Sequence, residues 1–594
     1  VNKLILVFIL LSSLSCSSKN EKAFNPDDYN SSLDSLQEKK YYHGPSDKEA
    51  VGFIDKTQDY GLSNIVANNL NIIDFNGDGF SDIVVLPEHY SQPRFYQFDI
   101  HKGQFFEVES LFEKNIKASY LLFYDLDKDT VLDVIVGVLN QKSELTPDPI
   151  RIYKGFKSKD GTIHFKDSKI DFPVPAGPAA SIGLIDFDLD GDLDLYVGNW
   201  FTKTKDGTFP ERDYLIEKTE TKYIDSSNLL KDEEKRNLDN TMYTKSIPTF
   251  ATQICDIDQN GFPDILATGA SGYNNKMWMN MYKVRSSTRT FEDYAQTSLY
   301  GGDTEGNLTP TGGGRTFATA CQDYNQDGIM DVFLGELTHS YDNDLRDKSS
   351  ILTGSRFKFP PEFIRTEYFQ DSFDTQWHQA DRRGVWFDYN NDGLMDLLVD
   401  NSGFPPHSRL VLFKQYEDHS FESVSKAVGI DIMNPASSVI ADFNRDGKMD
   451  ILTTQSNLRD ARIKKRIYLF QNNLDLSTKR PIRLYLRGKK ANFHGLNAMV
   501  ILKVQTPKGV VNRSQNVSYS YGGLPPQNEE GLHFALNPKE KLLSIKVRWP
   551  YTKSLNQSRA GLEKFYKIDP KYLEAKSFTL CESGDYLVGR LQCN

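Results

Sequence analysis

The chain is short of the residues that usually carry catalytic or redox chemistry. Its 594 residues include only ten His and five Cys. No His-rich zinc pattern occurs, and Gly312-Gly313-Gly314 lacks the Lys-Ser/Thr of a phosphate loop, so it reads as a turn. Long apolar runs are also missing. The stretch from Leu4 to Leu11 is too short to span a bilayer, and no other stretch is long enough. Positive charge is in deficit: 70 Lys and Arg stand against 81 Asp and Glu, a formal net charge of −11. No basic patch with interleaved aromatics stands out, which argues against nucleic-acid binding.

What the chain does have is aspartate at regular spacing. In Asp186-Phe187-Asp188-Leu189-Asp190-Gly191-Asp192-Leu193-Asp194, carboxylates fall at positions 1, 3, 5 and 9 and a glycine at 6. A hard divalent cation takes six to eight oxygens, which a tight loop of alternate Asp or Asn side chains can supply. The pattern recurs six more times: Asp74, Asn76, Asp78 and Asp82; Asp125, Asp127, Asp129 and Asp133; Asp256, Asp258, Asn260 and Asp264; Asp323, Asn325, Asp327 and Asp331; Asp388, Asn390, Asp392 and Asp396; and Asp442, Asn444, Asp446 and Asp450. The loops start 51 to 70 residues apart, so the chain is an internal repeat. Up to seven Ca²⁺ are expected, and these would take the formal charge from −11 to about +3. The second loop has Thr130 where the others have Gly. If the turn needs φ > 0 there, a β-branched residue costs on the order of 1–3 kcal/mol.

Short apolar runs such as Leu121-Leu122-Phe123-Tyr124 and Ile83-Val84-Val85-Leu86 flank the loops and read as strands. An EF-hand would need flanking helices and a Glu at position 12, and none of the seven loops has that Glu. An aromatic followed by an acidic residue, as in Phe165-Lys166-Asp167 and Phe291-Glu292-Asp293, marks a further strand in each unit. Four strands per unit is the content of one propeller blade. The expectation is an all-β chain: a seven-bladed propeller with calcium loops over 51–475, its seventh blade completed by the strand near Phe53, then a small β-rich domain over 480–568 and a tail over 569–594.

At the start of the chain, a charged segment, an apolar run and small residues precede Cys16, which resembles a bacterial lipobox. The expected arrangement is a signal peptide over 1–16, a lipid anchor on Cys16, a polar tether over 17–50, and an exported protein held at the bacterial cell envelope, at the outer membrane or cell surface. Cys581 and Cys593 are expected to form a disulfide. Cys255 and Cys321 are expected to be small buried hydrophobes.

The loops resemble the FG-GAP/VCBS repeats of integrin-like propellers. The unit from Arg383 to Leu397 is similar to the cartilage acidic protein family, in which such repeats precede an ASPIC/UnbV domain. Asn492, Gly495, Ala498 and Val500, together with Tyr521-Gly522-Gly523, Leu532–Leu536 and Val547-Arg548-Trp549-Pro550, resemble that domain. The resemblance implies an extracellular or envelope Ca²⁺-binding protein.

In a propeller, the face away from the calcium loops usually meets the ligand. The sequence places Trp200, Tyr273, Glu336, His339, Trp377, His378 and Arg382 in segments expected there. Aromatics beside polar groups suit glycan or protein recognition. The expected function is a binding, adhesion or scaffold module for a protein or glycan. The alternatives are a surface lectin of a glycan-uptake system or a polysaccharide lyase-like enzyme, in which Glu336, His339, Tyr341, His378 and Arg382 would act as acid, base and carboxylate-neutralising groups.

Overall fold

A computed structural model describes residues 52–139, 149–204, 207–231, 246–283, 288–302, 314–339, 347–355, 359–368, 378–551, 561–572 and 574–593. Cys16 and Trp377 lie outside the described residues, as do the side chains of His339 and His378. The protein is all-β, apart from helical turns such as Ala295–Ser298 and Ser425–Val428.

Seven antiparallel units of four strands follow the repeat. Sheet one comprises Asn69–Ile73, Asp82–Leu86, Arg94–Asp99 and Gln104–Val108; sheet two, Tyr120–Tyr124, Asp133–Gly137, Arg151–Lys157 and Ile163–Asp167; sheet three, Ala179–Ile185, Asp194–Asn199, Tyr214–Lys218 and Tyr223–Asp225. Sheet four comprises Thr249–Cys255, Asp264–Gly269, Lys276–Lys283 and Thr288–Asp293; sheet five, Thr316–Gln322, Asp331–His339, Ser350–Gly354 and Phe363–Glu367; sheet six, His378–Phe387, Asp396–Asn401, Leu410–Gln415 and Phe421–Ser423. Sheet seven takes Pro435–Ala441, Asp450–Gln455 and Arg466–Asn472 from one end of the repeat and Phe53–Asp55 from the other, with Phe53 opposite Asn472. Sheets five and six are joined where Leu337 pairs with Ala380 and His339 with His378.

The first strands of sheets three to seven pack one against the next. Ala179–Ile185 also lies against the second strand of sheet two, and Asn69–Ile73 lies against both Tyr120–Tyr124 and Pro435–Ala441. The first two strands of most sheets are buried along their length, as strands covered on both faces are.

Two further four-stranded sheets follow. One orders Leu532–Leu536, Arg480–Arg487, Ser577–Cys581 and Tyr586–Val588; the other orders Gly509–Asn516, Met499–Thr506, Lys541–Trp549 and Leu562–Tyr566. Ser577–Cys581 runs parallel to Arg480–Arg487, so the expected separate tail after 568 supplies an interior strand of this pair of sheets. A disulfide joins Cys581 to Cys593. One hydrophobic cluster runs from Tyr120, Leu122, Ile182 and Leu195 into Leu484, Val500, Val547 and Trp549. The C-terminal pair of sheets therefore shares a core with sheets two and three.

The expectation for Cys255 and Cys321 is corrected: they form a disulfide with Cα atoms 6.6 Å apart. Each ends, or nearly ends, the first strand of its unit, in adjacent sheets. Cys255 precedes its loop's first Asp by one residue and Cys321 precedes its own by two, and the two become neighbours when sheets four and five pack side by side, a proximity that linear spacing does not display.

Candidate metal centres and the opposite face

Each loop joins the first and second strands of its sheet, and all seven are held by the same hydrogen bonds. The position-9 carboxylate accepts the N–H of position 2, as Asp82 does from Phe75 at 3.1 Å and Asp264 from Ile257 at 2.9 Å. Its other oxygen accepts an N–H from the third strand: Phe98 for Asp82 at 2.9 Å, Asn280 for Asp264 at 2.8 Å and Asn472 for Asp450 at 2.8 Å. The position-1 carboxylate accepts the N–H of position 6, at 3.0 Å for Asp186 and Gly191 and 2.7 Å for Asp125 and Thr130. The turn needs a left-handed residue at position 6, where Gly191 has φ +95° and Thr130 +71°. It needs a second at position 4, where Lys128, Leu189, Gln259, Gln326, Asn391 and Arg445 all have φ > 0. Sequence reading missed position 4 because no glycine marks it in these six loops.

These bonds bring the position 1, 3 and 9 carboxylates together. Ligand oxygens of Asp125, Asp127 and Asp133, of Asp186, Asp188 and Asp194, and of Asp256, Asp258 and Asp264 lie within 4.8 Å of one another in each set. Asp186 Oδ1 and Asp256 Oδ1 are buried without a hydrogen-bond partner. Burial, reinforced by the neighbouring carboxylates, pushes Asp82 and Asp331 up to about 8 and Asp133 up to about 7, and it holds Asp194, Asp264, Asp396 and Asp450 well above the ordinary carboxylate range. Buried like charges with orphaned oxygens fit a divalent cation, which would pair with both. In loop two, Lys154 sits against Asp127 and 3.2 Å from Asp129.

The C-terminal sheets and their connecting segments together touch every loop. Arg590 lies 3.1 Å from Asp74 and Arg548 lies 3.4 Å from Asp256. His494 Nε2 accepts the Asp125 N–H at 3.1 Å, which leaves its Nδ1–H to donate to Glu530 at 2.8 Å. Asn497 Oδ1 accepts from Asp186 N at 3.2 Å, and Ser514 donates to Asp323. His533 bonds Asn391 at 2.7 Å, and Glu529 accepts from Asp442 N at 2.9 Å. A Cβ on Gly191 would come within 1.8 Å of Lys490 O, so this glycine also permits the close approach.

The segment from Gly523 to Glu529 threads between the first strands. Gln527 O accepts from Ile72 N at 2.9 Å, and its side-chain amide pairs with both backbone groups of Phe123 at 2.8 and 2.9 Å. Leu524 N donates to Ala180 O at 2.7 Å, Arg383 reaches Gly523 O at 3.0 Å, and Asn528 Oδ1 accepts from Ile440 N at 3.0 Å. First strands would otherwise face an axis with unpaired backbone groups, which burial penalises. Glu529 is held at about 2 despite burial by Arg445 at 2.7 Å and Arg483 at 3.1 Å.

The opposite face departs from expectation in two places. Trp200 is 2% exposed, in a cluster with Phe250 and Phe317 at centroid distances of 5.3 and 6.0 Å, so it belongs to the core. Glu336 is fully buried and accepts from Thr316 at 2.6 Å and Arg315 N at 2.8 Å, so it fixes the start of sheet five rather than facing a ligand. Tyr273 and Arg382 are half-buried, and Tyr273 packs on Phe201 at 6.4 Å. His339 and His378 are opposite one another in the backbone pairing.

FG-GAP-like repeats match residues 74–136 and 388–453, which hold loops one, two, six and seven. No curated protein matches the chain. Among solved structures, it is similar to BBS1N in complex with ARL6DN (9% identity, TM-score 0.37, covering 72% of this chain and 99% of that one). It is also similar to the PL25 ulvan lyase bound to -[GlcA(1-4)Rha3S]- (11%, 0.39, 72% and 99%) and to the exotype rhamnogalacturonan lyase YesX (13%, 0.35, 68% and 72%). Among the described residues, no helix is long and apolar enough to cross a membrane.

Proposed function

We propose that the protein is a calcium-loaded binding module: a closed seven-bladed propeller whose loop face is sealed by its own C-terminal domain and whose opposite face meets a glycan. The observation that carries this reading is the contact of the C-terminal sheets and their connecting segments with all seven loops. One face is thereby committed to an internal partner, and a ligand is left the other. Half-buried Tyr273 and Arg382 lie on that side. Ca²⁺ is the cation whose ligand number and flexibility suit Asp/Asn-only loops with a backbone carbonyl. Its role here is structural: the loops hold it, and it neutralises their carboxylates.

Glycan arrays probed with the full chain in Ca²⁺, and with Tyr273→Ala, test the reading. Binding that the variant loses supports it. A wild type that binds no glycan but captures a protein through the same face would replace the glycan with a protein ligand. We also propose export and lipid anchoring through Cys16. Palmitate labelling that persists in Cys16→Ser would overturn the anchor.

A further inference from the structure

Position 4 of the loops does more than turn the chain. Its side chain leaves from between the ligand positions 3 and 5, and in loops four to seven it donates to the position-6 carbonyl of the next loop. Gln259 of loop four donates to Gly328 O of loop five, and Gln326 of loop five donates to Gly393 O of loop six at 2.6 Å. Asn391 of loop six donates to Gly447 O of loop seven at 3.2 Å, and Arg445 of loop seven donates to Gly79 O of loop one. All these acceptors are the turn glycine of their loop, so the links form one run from loop four through five, six and seven to loop one.

The other loops break the pattern. Lys128 of loop two lies 3.2 Å from the position-7 carboxylate of Asp192 in loop three, which is an ion pair and not a bond to the turn. Leu189 of loop three packs with Phe262 of loop four and has no donor to offer. Gly77 of loop one has no side chain, and a Cβ placed there would meet nothing within 4 Å. The run is therefore open between loops one and two and apolar between loops three and four.

Each accepting glycine is also tied to a ligand of its own loop. Gly393 N donates to Asp388 at 2.7 Å, Gly447 N to Asp442 at 2.9 Å and Gly79 N to Asp74 at 3.0 Å. One residue thus holds a position-1 carboxylate through its N–H and the preceding loop through its C=O. An empty loop keeps like charges facing one another, and loosening it would draw the glycine carbonyl away from its donor. A filled loop keeps that carbonyl in place. Ordering one loop therefore favours ordering its neighbour, and the gain is reciprocal. We propose that Gln259, Gln326, Asn391 and Arg445 are positioning residues that couple the cation sites of loops four, five, six, seven and one, so that these fill as one cooperative unit and loops two and three fill apart from it. This rests on the reading of the loops as calcium sites.

The test follows amide hydrogen exchange of peptides spanning each loop, in the full chain, across a chelator-buffered series of free Ca²⁺. In the wild type, loops four, five, six, seven and one should gain protection together, in a transition steeper than single-site binding, with loops two and three at other midpoints. Gln326→Met keeps the length of the side chain and removes the donor. It should divide the unit, with loops four and five separated from six, seven and one by about fivefold in midpoint, the loss of one hydrogen bond. A merely local effect would move loops five and six alone. Gln259→Met should release loop four only, and Leu189→Met, which has no donor to lose, should leave the unit intact. The wild-type series can overturn the coupling whether or not a variant folds: independent midpoints in the five loops would do so, and a single transition of all seven would place the coupling in the C-terminal sheets instead. A Gln326→Met protein whose five loops still fill together, or a unit divided by Leu189→Met, would overturn it as well. Ca²⁺-dependent protection without the coupling would leave the calcium sites standing, whereas no Ca²⁺-dependent protection in any loop would remove both.

Discussion

Thr130 sets loop two apart from the other six. It stands at φ +71° where six loops have glycine, and its N–H still bonds Asp125 at 2.7 Å. Loop two keeps four carboxylates at these positions, the same number as the loop at Asp186, and Lys154 lies against two of them. Thr130→Gly removes a strain of about 1–3 kcal/mol and should tighten that site by roughly tenfold. Calorimetric titration checks this, and an unaltered weakest class of sites would refute the strain argument. Glu529 is the second decisive residue. Glu529→Gln leaves Arg445 and Arg483 buried without their counter-charge and should cost about 3–5 kcal/mol in chemical denaturation.

At the scale of elements, the Cys255–Cys321 disulfide staples the first strands of sheets four and five. Replacing both with serine should lower stability by about 2–4 kcal/mol, read as a shift in denaturation midpoint under oxidising conditions. A wild type and double variant with coincident midpoints would show that side-by-side packing alone holds the two sheets. The last sheet depends on a different device. Phe53–Asp55 pairs with Arg466–Asn472, so the two ends of the repeat are in one hydrogen-bonded unit.

For the whole molecule, the seven loops and the C-terminal sheets form one electrostatic assembly. Stripping metal leaves buried carboxylates facing one another. Each site at a free cation concentration 100-fold over its dissociation constant contributes about 2.7 kcal/mol, so excess EGTA should lower the melting temperature substantially. The pH dependence has a definite sign. Asp82, Asp331 and Asp133 are raised from 3.8 to about 8, 8 and 7 in the fold. Their favourable contribution to the metal-free fold is complete below about pH 4 and is lost as pH rises through 7 to 8. The melting temperature of the EGTA-treated protein should therefore fall between pH 5 and pH 8, whereas the Ca²⁺-loaded protein should change little. A flat metal-free profile would contradict the burial of these groups. Glu529, lowered to about 2, acts in the opposite sense: its contribution is present above its ordinary 4.5 and lost as pH falls towards 2.

The sequence by itself determined the repeat, the strand–loop–strand form and the clustering of the loop carboxylates. These rest on local chemistry: alternate Asp at positions 1, 3, 5 and 9, a turn glycine, and apolar runs on either side. The unpaired aromatic–acidic element at Phe53 was legible because counting units leaves it over. Only tertiary structure decided the rest. Cys255 and Cys321 meet because sheets pack laterally, Trp200 and Glu336 turn inward because neighbouring strands cover them, and Ser577–Cys581 enters a sheet through a parallel partner about a hundred residues earlier. The placement of Gly523 to Glu529 between the first strands, and of a C-terminal side chain at each loop, depends on how surfaces distant in sequence meet. Contacts between residues hundreds of positions apart leave no periodic trace in a single sequence.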